Sequence, residues 1–184
     1  MVICFMKLLY FPGVQSVLAD ENEFAQSYKL VHLMQICDCE VFDYRNFDAK
    51  KSIKQVEKYD LLFGSSFGGY FAFNMAVITG QKCISVNPSL YLDKRFSMLM
   101  EKYPNKLSFI KPAQLEAIKA EPLKNKHPYI HILMNMDDEV LDAVKVIGIA
   151  EKFGCNIYRF EKGGHESTNF IGEMLPTIKQ ILSE

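Results

Sequence analysis

The pentapeptide G-S-S-F-G occupies residues 64–68 and directly follows an apolar run that ends at Phe63. The pattern G-x-S-x-G between a strand and a helix is typical of a sharp turn that projects a serine hydroxyl from a sheet edge. Glycines flank the serine because a side chain there would collide with the neighbouring strand and helix. The pattern therefore predicts that Ser66 is the nucleophile of a hydrolase or acyl-transfer enzyme.

A base is the first partner that this serine needs, because a free hydroxyl is a weak nucleophile. In a turn of this kind the order along the chain is nucleophile, acid, base, and three histidines follow Ser66. His131 falls inside a predicted strand, where a packed core residue is expected, and His127 precedes that strand. His165 follows two glycines in a loop after the last predicted strand, which favours it as the base over a solvated loop histidine.

The acid is expected beyond the preceding strand, where the cluster D-D-E-V-L-D spans residues 137–142. Asp138 is the best candidate because it lies just before an apolar run, and Asp137 and Asp142 are the alternatives. Acidic residues also favour a helix N-terminus, so capping is the other role open to part of this cluster. Some hydrolases place the acid after an earlier strand, but here Asn87 occupies that position and cannot stabilise an imidazolium by charge.

An oxyanion hole requires donors near the serine, usually two backbone N–H groups. Phe67, directly after the predicted nucleophile, supplies the first. The second is expected in the loop after the first strand. Val14 is predicted there because Gly13 lets the chain turn and Pro12 has no N–H to donate.

Strand-like and helix-like segments alternate, which predicts an α/β fold with a mostly parallel sheet of about six strands and helices on both faces. The chain is expected to form a single domain over residues 1–184. The predicted strands are Met6–Phe11, Glu40–Tyr44, Asp60–Phe63, Cys83–Val86, Tyr129–Asn135 and Cys155–Phe160. The predicted main helices are Glu21–Gln35, Ala49–Lys58, Phe67–Thr79, Leu141–Phe153 and Phe170–Leu182.

The alternation breaks in a proline-containing insertion at residues 89–127, with short helical patches at Phe96–Lys102 and Ala113–Ala120. Between Ser89 and Lys126 it carries eight basic and four acidic residues, a charge of +4 that leaves the rest of the chain at −5. An insertion beside the serine turn is predicted to be a cap over a substrate pocket. The alternative is a solvated helical decoration.

The composition is that of a soluble globular protein, with 49% hydrophobic and 23% charged residues among 184. The net charge of −1 gives no global attraction to nucleic acid or to an anionic membrane, so neither is an expected partner. No run approaches the roughly 20 apolar residues of a membrane span. The apolar first eleven residues favour a buried strand over a signal peptide, because no small-residue cleavage site follows.

Cysteine usage points to a reducing compartment. The five cysteines are odd in number and lie mostly in apolar surroundings, which predicts reduced thiols and a cytoplasmic protein. The closely spaced Cys37 and Cys39 have no second cysteine or histidine pair at ligand spacing. We therefore expect neither a metal nor a cofactor.

Several short motifs, taken in order, resemble the small bacterial esterases of the YqiA/YcfP type in the α/β-hydrolase superfamily. The matching pieces are L-L-Y-F-P-G, G-S-S-F-G-G-Y-F-A, V-N-P, D-E-V-L-D and E-K-G-G-H. The resemblance extends from Leu8 to the C-terminal helix and implies a compact α/β-hydrolase fold without the first strands of larger relatives. It also implies Ser66 as nucleophile, Asp138 as acid and His165 as base.

The function predicted from these residues is that of a serine carboxylesterase or thioesterase that cleaves a small-molecule acyl ester through an acyl-enzyme. The basic insertion suggests tolerance for anionic groups such as a coenzyme A thioester. The alternative is a noncatalytic α/β-hydrolase module that binds a ligand or a protein partner. This alternative stays open because the resembling family usually has His-Gly where this chain has Pro12-Gly13, and because some members lack the serine.

Overall fold

Six strands form one fully parallel sheet in the residues that the computed structural model describes, which are 6–19, 27–122 and 126–184. The strand order is β2-β1-β3-β4-β5-β6. The predicted α/β architecture with a parallel sheet is therefore confirmed. The strands are β1 (Lys7–Phe11), β2 (Asp38–Val41), β3 (Leu61–Ser65), β4 (Lys82–Val86), β5 (Ile130–Asn135) and β6 (Asn156–Phe160).

The α-helices of the described residues lie in the segments between consecutive strands or after the last strand. None of them is long and apolar enough to cross a membrane. Short 3-10 turns occur at Val14–Ser16 and Tyr44–Asn46, and a π turn at Phe170–Met174. The helices are α1 (Tyr28–Leu33), α2 (Ala49–Val56), α3 (Phe67–Thr79), α4 (Leu92–Lys102), α5 (Pro104–Leu107), α6 (Pro112–Ile118), α7 (Ala143–Lys152) and α8 (Leu175–Ser183).

The central strands are buried on both faces, because successive side chains point to opposite sides and helices cover each side. In β1, Leu9 and Phe11 join the core that contains α3, whereas Leu8 and Tyr10 join the core that contains α1 and α8. Leu8, Leu9 and Phe11 have no exposed surface. Burying a side chain of this size contributes about 1.5–3 kcal/mol, so the sheet is held from both sides.

Helix α3 follows the middle of the sheet and is apolar nearly all round, as expected for a helix packed against the sheet centre. It ends at Gly80, whose φ of 77° gives the left-handed cap that glycine adopts most readily. Its predicted bounds match the structure. Its first turn lies at the carboxyl edge of the strands, where open α/β sheets bind their ligands.

Strand β2 differs most from its predicted bounds, since it spans Asp38–Val41 rather than Glu40–Tyr44, whereas the ends of the other strands differ by at most two residues. The strand ends at Val41 rather than at Tyr44, because the chain turns into a 3-10 helix whose first turn is capped by Asp43, which accepts from the Arg45 N–H at 2.9 Å. The ring of Tyr44 then packs inside the protein. Of the predicted helix Glu21–Gln35, the structure describes Tyr28–Leu33, and the part from residue 21 to 26 lies outside the described residues.

The described part of the insertion, residues 89–122, is packed onto the α3 side of the sheet. Tyr70 of α3 donates its hydroxyl proton to the Leu115 carbonyl at 3.3 Å, and Asn74 accepts from the Ala120 N–H at 2.8 Å. That the insertion caps a substrate pocket stays a prediction. Its buried apolar side chains share the core of α3 and include Leu92, Phe96, Leu107, Ile110, Leu115 and Ile118.

Candidate active site

Ser66 sits at a sharp turn between β3 and α3. Its backbone φ is 52° and its ψ is −114°, a region that non-glycine residues rarely adopt. Such backbone strain costs on the order of 1–3 kcal/mol and persists only where surrounding contacts enforce it. Here the Ser66 N–H donates to the Val86 carbonyl at 3.1 Å, and the Ser66 carbonyl accepts from the Ser89 N–H at 2.9 Å. The turn is thereby fixed to the end of β4.

Two glycines allow this turn because neighbouring backbone occupies the space of a side chain. A Cβ on Gly64 would lie 2.7 Å from the Cα of Gly69. A Cβ on Gly68 would overlap the carbonyl of Phe11 at the end of β1. The first turn of α3 can therefore lie directly against β1 and β3, as the G-x-S-x-G pattern predicts.

Ser66, His165 and Asp138 form a continuous chain of hydrogen bonds. The Ser66 Oγ lies 2.8 Å from His165 Nε2, and His165 Nδ1 lies 2.8 Å from Asp138 Oδ2. With the proton on Nδ1, the ring donates to the carboxylate and its Nε2 accepts from the serine hydroxyl. The side chain of His165 is 11% exposed and that of Asp138 is fully buried. This arrangement can move a proton away from the serine.

Asp138 is held by its own backbone. Its Oδ1 accepts from the N–H groups of Val140 and Leu141 at 2.8 and 2.7 Å, which leaves Oδ2 directed at the histidine ring. Both bonds arise from the turn that precedes α7, so the carboxylate orientation is set by local chain geometry. A carboxylate fixed in this way can hold an imidazole in one tautomer and orientation.

The loop that carries His165 is anchored by the two acidic neighbours of Asp138. Glu139 accepts from the His165 N–H at 2.9 Å. Asp137 accepts from the N–H groups of Gly164 and Gly163 at 2.9 and 3.2 Å, and these hydrogen bonds hold the pKa of Asp137 below its ordinary value. Asp137, an alternative acid in the sequence, therefore contacts the backbone of the histidine loop.

The remaining candidates are engaged elsewhere. Asp142 caps α7 by accepting from the Lys145 N–H at 3.0 Å. His131 is buried in β5 with its Nδ1 3.3 Å from the Tyr158 hydroxyl, and burial lowers its pKa to about 4. Burial also lowers the pKa of His127. Across the described ranges, no group of three or more His, Cys, Asp or Glu side chains is placed to hold a metal ion.

Asn87 is a site residue whose role was not predicted. Its side-chain amide donates to the carbonyls of Gly164 and His165 at 2.9 and 3.1 Å, and it lies 3.1 Å from the Ser167 hydroxyl. Its carbonyl oxygen accepts from the Asn135 N–H at 2.9 Å. The position that some hydrolases use for the acid therefore supports the histidine loop here. In the sequence, the only signal for this role was a polar residue at the end of a buried strand.

The two predicted oxyanion donors lie beside Ser66. Phe67 is the first residue of α3, so its N–H has no acceptor within the helix. Val14 begins the 3-10 turn after β1, and a Cβ on its neighbour Gly13 would lie 3.7 Å from the Ser66 Cβ. Both residues line the same cavity as Ser66 and His165. Their use as an oxyanion hole stays a prediction.

Tyr44 supports the loop that carries Val14. Its hydroxyl donates to the Pro12 carbonyl at 3.1 Å. The side chain is fully buried, with ring centroids 5.5 Å from Phe67 and 5.0 Å from Phe71. Because one tyrosine contacts both the β1 loop and the start of α3, it links the two segments that carry the predicted oxyanion donors.

A cavity of about 1190 Å³ opens over Ser66. One wall is formed by the turn, by the His165 loop and by the β1 loop. The other is formed by α4 of the insertion. Tyr103, which directly follows α4, accepts from the Gln15 side-chain amide at 3.2 Å, and Lys106 of α5 donates to the Gln15 carbonyl, so these contacts join the insertion to the β1 loop. The α4 residues that line the cavity are Arg95, Met98, Leu99 and Lys102.

Solved structures similar to this chain have the α/β-hydrolase fold. Est1E from Butyrivibrio proteoclasticus is 11% identical, with a TM-score of 0.63 over 97% of this chain and 87% of that one. XC6422 from Xanthomonas campestris, described as an α/β serine hydrolase without a lid, is 11% identical, with a TM-score of 0.58 over 99% and 84%. The type II thioesterase BorB from the borrelidin biosynthetic cluster is 16% identical, with a TM-score of 0.55 over 97% and 93%.

Identities this low show a shared fold alone. No curated protein matches the chain in sequence. The α/β-hydrolase fold expected from the motifs is confirmed, and the family model is consistent with the YqiA/YcfP resemblance. The model described as "Uncharacterised protein family (UPF0227)" matches residues 15–182, and the chain therefore belongs to that family.

Proposed function

We propose that this protein is a serine hydrolase, a carboxylesterase or thioesterase, that cleaves a small acyl ester. The observation that carries the proposal is the hydrogen-bonded chain from Ser66 through His165 to Asp138, with both distances at 2.8 Å. The serine lies on a strained turn above a cavity, which is where an acyl substrate can reach it. The α/β-hydrolase fold of the similar structures, which include an esterase and a thioesterase, supports this class.

In the acylation step, His165 Nε2 takes the hydroxyl proton as Ser66 Oγ bonds to the carbonyl carbon of the substrate. The buried Asp138 carboxylate stabilises the imidazolium that forms. The carbonyl oxygen becomes an oxyanion that the N–H groups of Phe67 and Val14 are placed to stabilise. As the bond to the leaving oxygen or sulfur breaks, His165 returns the proton to that atom and an acyl-enzyme remains.

In the deacylation step, a water molecule attacks the same carbonyl carbon. His165 accepts a proton from that water, and the same two N–H groups stabilise the second oxyanion. The bond to Ser66 Oγ then breaks, the serine regains its proton from His165, and the carboxylic acid leaves. The reaction consumes one water and needs no redox partner.

The noncatalytic alternative depends on the Pro12-Gly13 pair in the loop after β1. Two contacts favour the catalytic function over the noncatalytic one. Tyr44 holds the Pro12 carbonyl in place, and Gly13 remains against Ser66, so Val14 can still direct its N–H toward the cavity. Pro12 has no N–H to donate, so the donor proposed from this loop is Val14.

A fluorophosphonate probe tests this function, because it forms a covalent adduct only with an activated serine. We expect the wild-type protein to be labelled and Ser66→Ala to be unlabelled. Ser65→Ala is the matched control, since Ser65 lines the same cavity and should leave labelling intact. Absence of Ser66-dependent labelling in folded protein would refute the proposal. A loss of 4-nitrophenyl butyrate hydrolysis in folded His165→Ala would assign the base.

A further inference from the structure

The cavity face of α4 has a basic residue at each end. Arg95, Met98, Leu99 and Lys102 line the cavity and follow the i, i+3, i+4, i+7 spacing of a single helix face. The two cations are seven residues apart, roughly 10 Å along the helix axis. Met98 and Leu99 lie between them, so this wall is apolar in the middle and positive at both ends. Lys94, on the same helix, is exposed and does not line the cavity.

Neither of these cations forms an ion pair with any carboxylate of the described residues. Instead, the Arg95 guanidinium lies 5.7 Å from the centre of the Tyr91 ring, and the Lys102 ammonium lies 5.3 Å from that of Tyr103. By contrast, Lys119 of the same insertion pairs with Asp93 at 2.9 Å. Aromatic contact leaves the N–H donors of a cation available to an anion.

The other charged groups of the cavity already have partners. Glu139 accepts from the His165 N–H, and the Lys29 ammonium donates to the Glu166 carbonyl at 3.1 Å. Glu166 also interacts with the charge of Lys29. Among the residues that the structure describes, the lining therefore has three cations and two carboxylates, and the cations without such partners are those of α4.

We propose that the substrate carries an anionic group, a carboxylate or a phosphate, that binds to Arg95 or to Lys102 while its acyl carbonyl lies at Ser66. This inference deepens the proposed hydrolase function and rests on it. Arginine offers a planar pair of donors that suits either oxyanion, and lysine offers a mobile point charge. Met98 and Leu99 contact the apolar portion between the ester and the anion.

Two positions of the anion fit this chemistry, and matched substrate pairs distinguish them. For an anion on the acyl group, 4-nitrophenyl hexanoate is compared with the mono-4-nitrophenyl ester of adipic acid. For an anion on the leaving group, S-butyryl-N-acetylcysteamine is compared with S-butyryl-coenzyme A. In each pair the measured quantity is the ratio of kcat/KM for the anionic substrate to that for the neutral one.

We expect the wild-type enzyme to prefer the anionic member of at least one pair. In whichever of Arg95→Gln and Lys102→Gln removes the cation that binds the anion, that ratio should fall about 10-fold, because the variant loses a hydrogen bond to a charged group. Lys94→Gln is the matched control and should change the ratio less than about twofold, as a solvent-screened charge. The pair whose ratio falls identifies which part of the substrate carries the anion.

The inference is overturned if the wild-type enzyme prefers the neutral member of both pairs. It is also overturned if the ratio falls in neither Arg95→Gln nor Lys102→Gln, because another group would then bind the anion. An equal fall in Lys94→Gln would overturn it too, because general surface charge would then explain the preference. These outcomes leave the proposed function intact, since the neutral esters are still hydrolysed and Ser66 is still labelled. A wild-type protein that hydrolyses none of the four substrates and is not labelled at Ser66 would refute both.

Discussion

The side-chain amide of Asn87 donates a hydrogen bond to the main-chain carbonyl of His165 across 3.1 Å. This bond joins the end of β4 to the loop after β6, and the same side chain accepts from the Asn135 N–H at the end of β5. One buried amide thus connects three neighbouring strand ends. The backbone of the proposed base is fixed by this contact independently of the carboxylate that orients its ring.

Replacing Asn87 by Asp should impair the enzyme, although an acid occupies this position in some hydrolases. A carboxylate cannot donate to the Gly164 and His165 carbonyls, and the three oxygens would repel one another. We expect Asn87→Asp to lower the free energy of unfolding by about 2–4 kcal/mol, as for lost buried hydrogen bonds with a charged group left unpaired, and to lower kcat at least about 10-fold. Urea unfolding and ester hydrolysis measure the two effects.

The double variant Asn87→Asp, Asp138→Asn sharpens this prediction. If position 87 served as an alternative acid site, the new carboxylate would restore activity to the Asp138→Asn background. We expect no restoration, because the amide of Asn87 contacts the histidine backbone rather than its ring. Recovery of kcat in the double variant would contradict the supporting role assigned to Asn87.

Asp138→Asn should be far more damaging than Asp142→Asn. An amide at position 138 favours the wrong imidazole tautomer and gives no charge to the imidazolium, a change that costs about 10⁴-fold in kcat in a comparable serine enzyme. Asp142 caps α7, and asparagine caps helices about as well as aspartate, so its substitution should change kcat less than about threefold. Steady-state hydrolysis of one neutral ester compares them, and equal effects would overturn the assignment of the acid.

Tyr44→Phe tests the support of the oxyanion loop. The change removes one hydroxyl that donates to the Pro12 carbonyl and retains the ring packing against Phe67 and Phe71. A buried carbonyl without its donor costs about 1–3 kcal/mol of stability. We expect kcat to fall several-fold while KM changes little, since the donor proposed on this loop would act on the transition state. An unchanged kcat in the folded variant would mean that Val14 keeps its place without Tyr44.

His131 is expected to make the protein sensitive to acid. Burial is the main reason that its pKa is about 4, and the nearby Lys82 ammonium contributes, whereas Glu184 opposes the shift. Because the unfolded chain binds this proton near pH 6.5, the stabilisation is complete above that pH and is lost as the pH falls toward 4. The loss attributable to this buried ring is of order 3 kcal/mol.

His131→Gln removes that titration and isolates the effect. The variant should lose less stability than the wild type between pH 6.5 and 4, measured by urea unfolding at several pH values. Any packing cost of the substitution is measured separately at pH 7.5, where the wild-type histidine is neutral in both states. Parallel stability curves for the two proteins would show that His131 is not the source of the acid sensitivity.

Local signals explain which elements were predictable from the sequence. The sequence marks both ends of helix α3, with the serine turn before it and Gly80 after it. Its predicted bounds therefore match the structure. Strand β2 has no such end signal, because the large apolar residues Phe42 and Tyr44 follow Val41 closely in the sequence. The Tyr44 ring packs there against Phe67 and Phe71 of α3, and this contact exists only after the sheet has assembled.

The same distinction applies to the site. Ser66, Asp138 and His165 occur in short motifs whose order along the chain predicts their roles. Asn87 and Tyr44 occur in no motif, and their partners lie 78 and 32 residues away, at His165 and Pro12. Their roles depend on which strand ends become neighbours. Strand order is a property of the assembled sheet, and it could not be predicted from any one segment.

The hydroxyl of Ser66 and the ring of His165 meet across 99 positions of the chain. The ribosome therefore synthesises the segment around Ser66 long before it adds His165, the proposed base. Until β6 pairs with β5 and the following loop docks, Ser66 has no base beside it and is only a weak nucleophile. A nascent or C-terminally truncated chain should be chemically silent, so esterase activity would report that the last strand is in place.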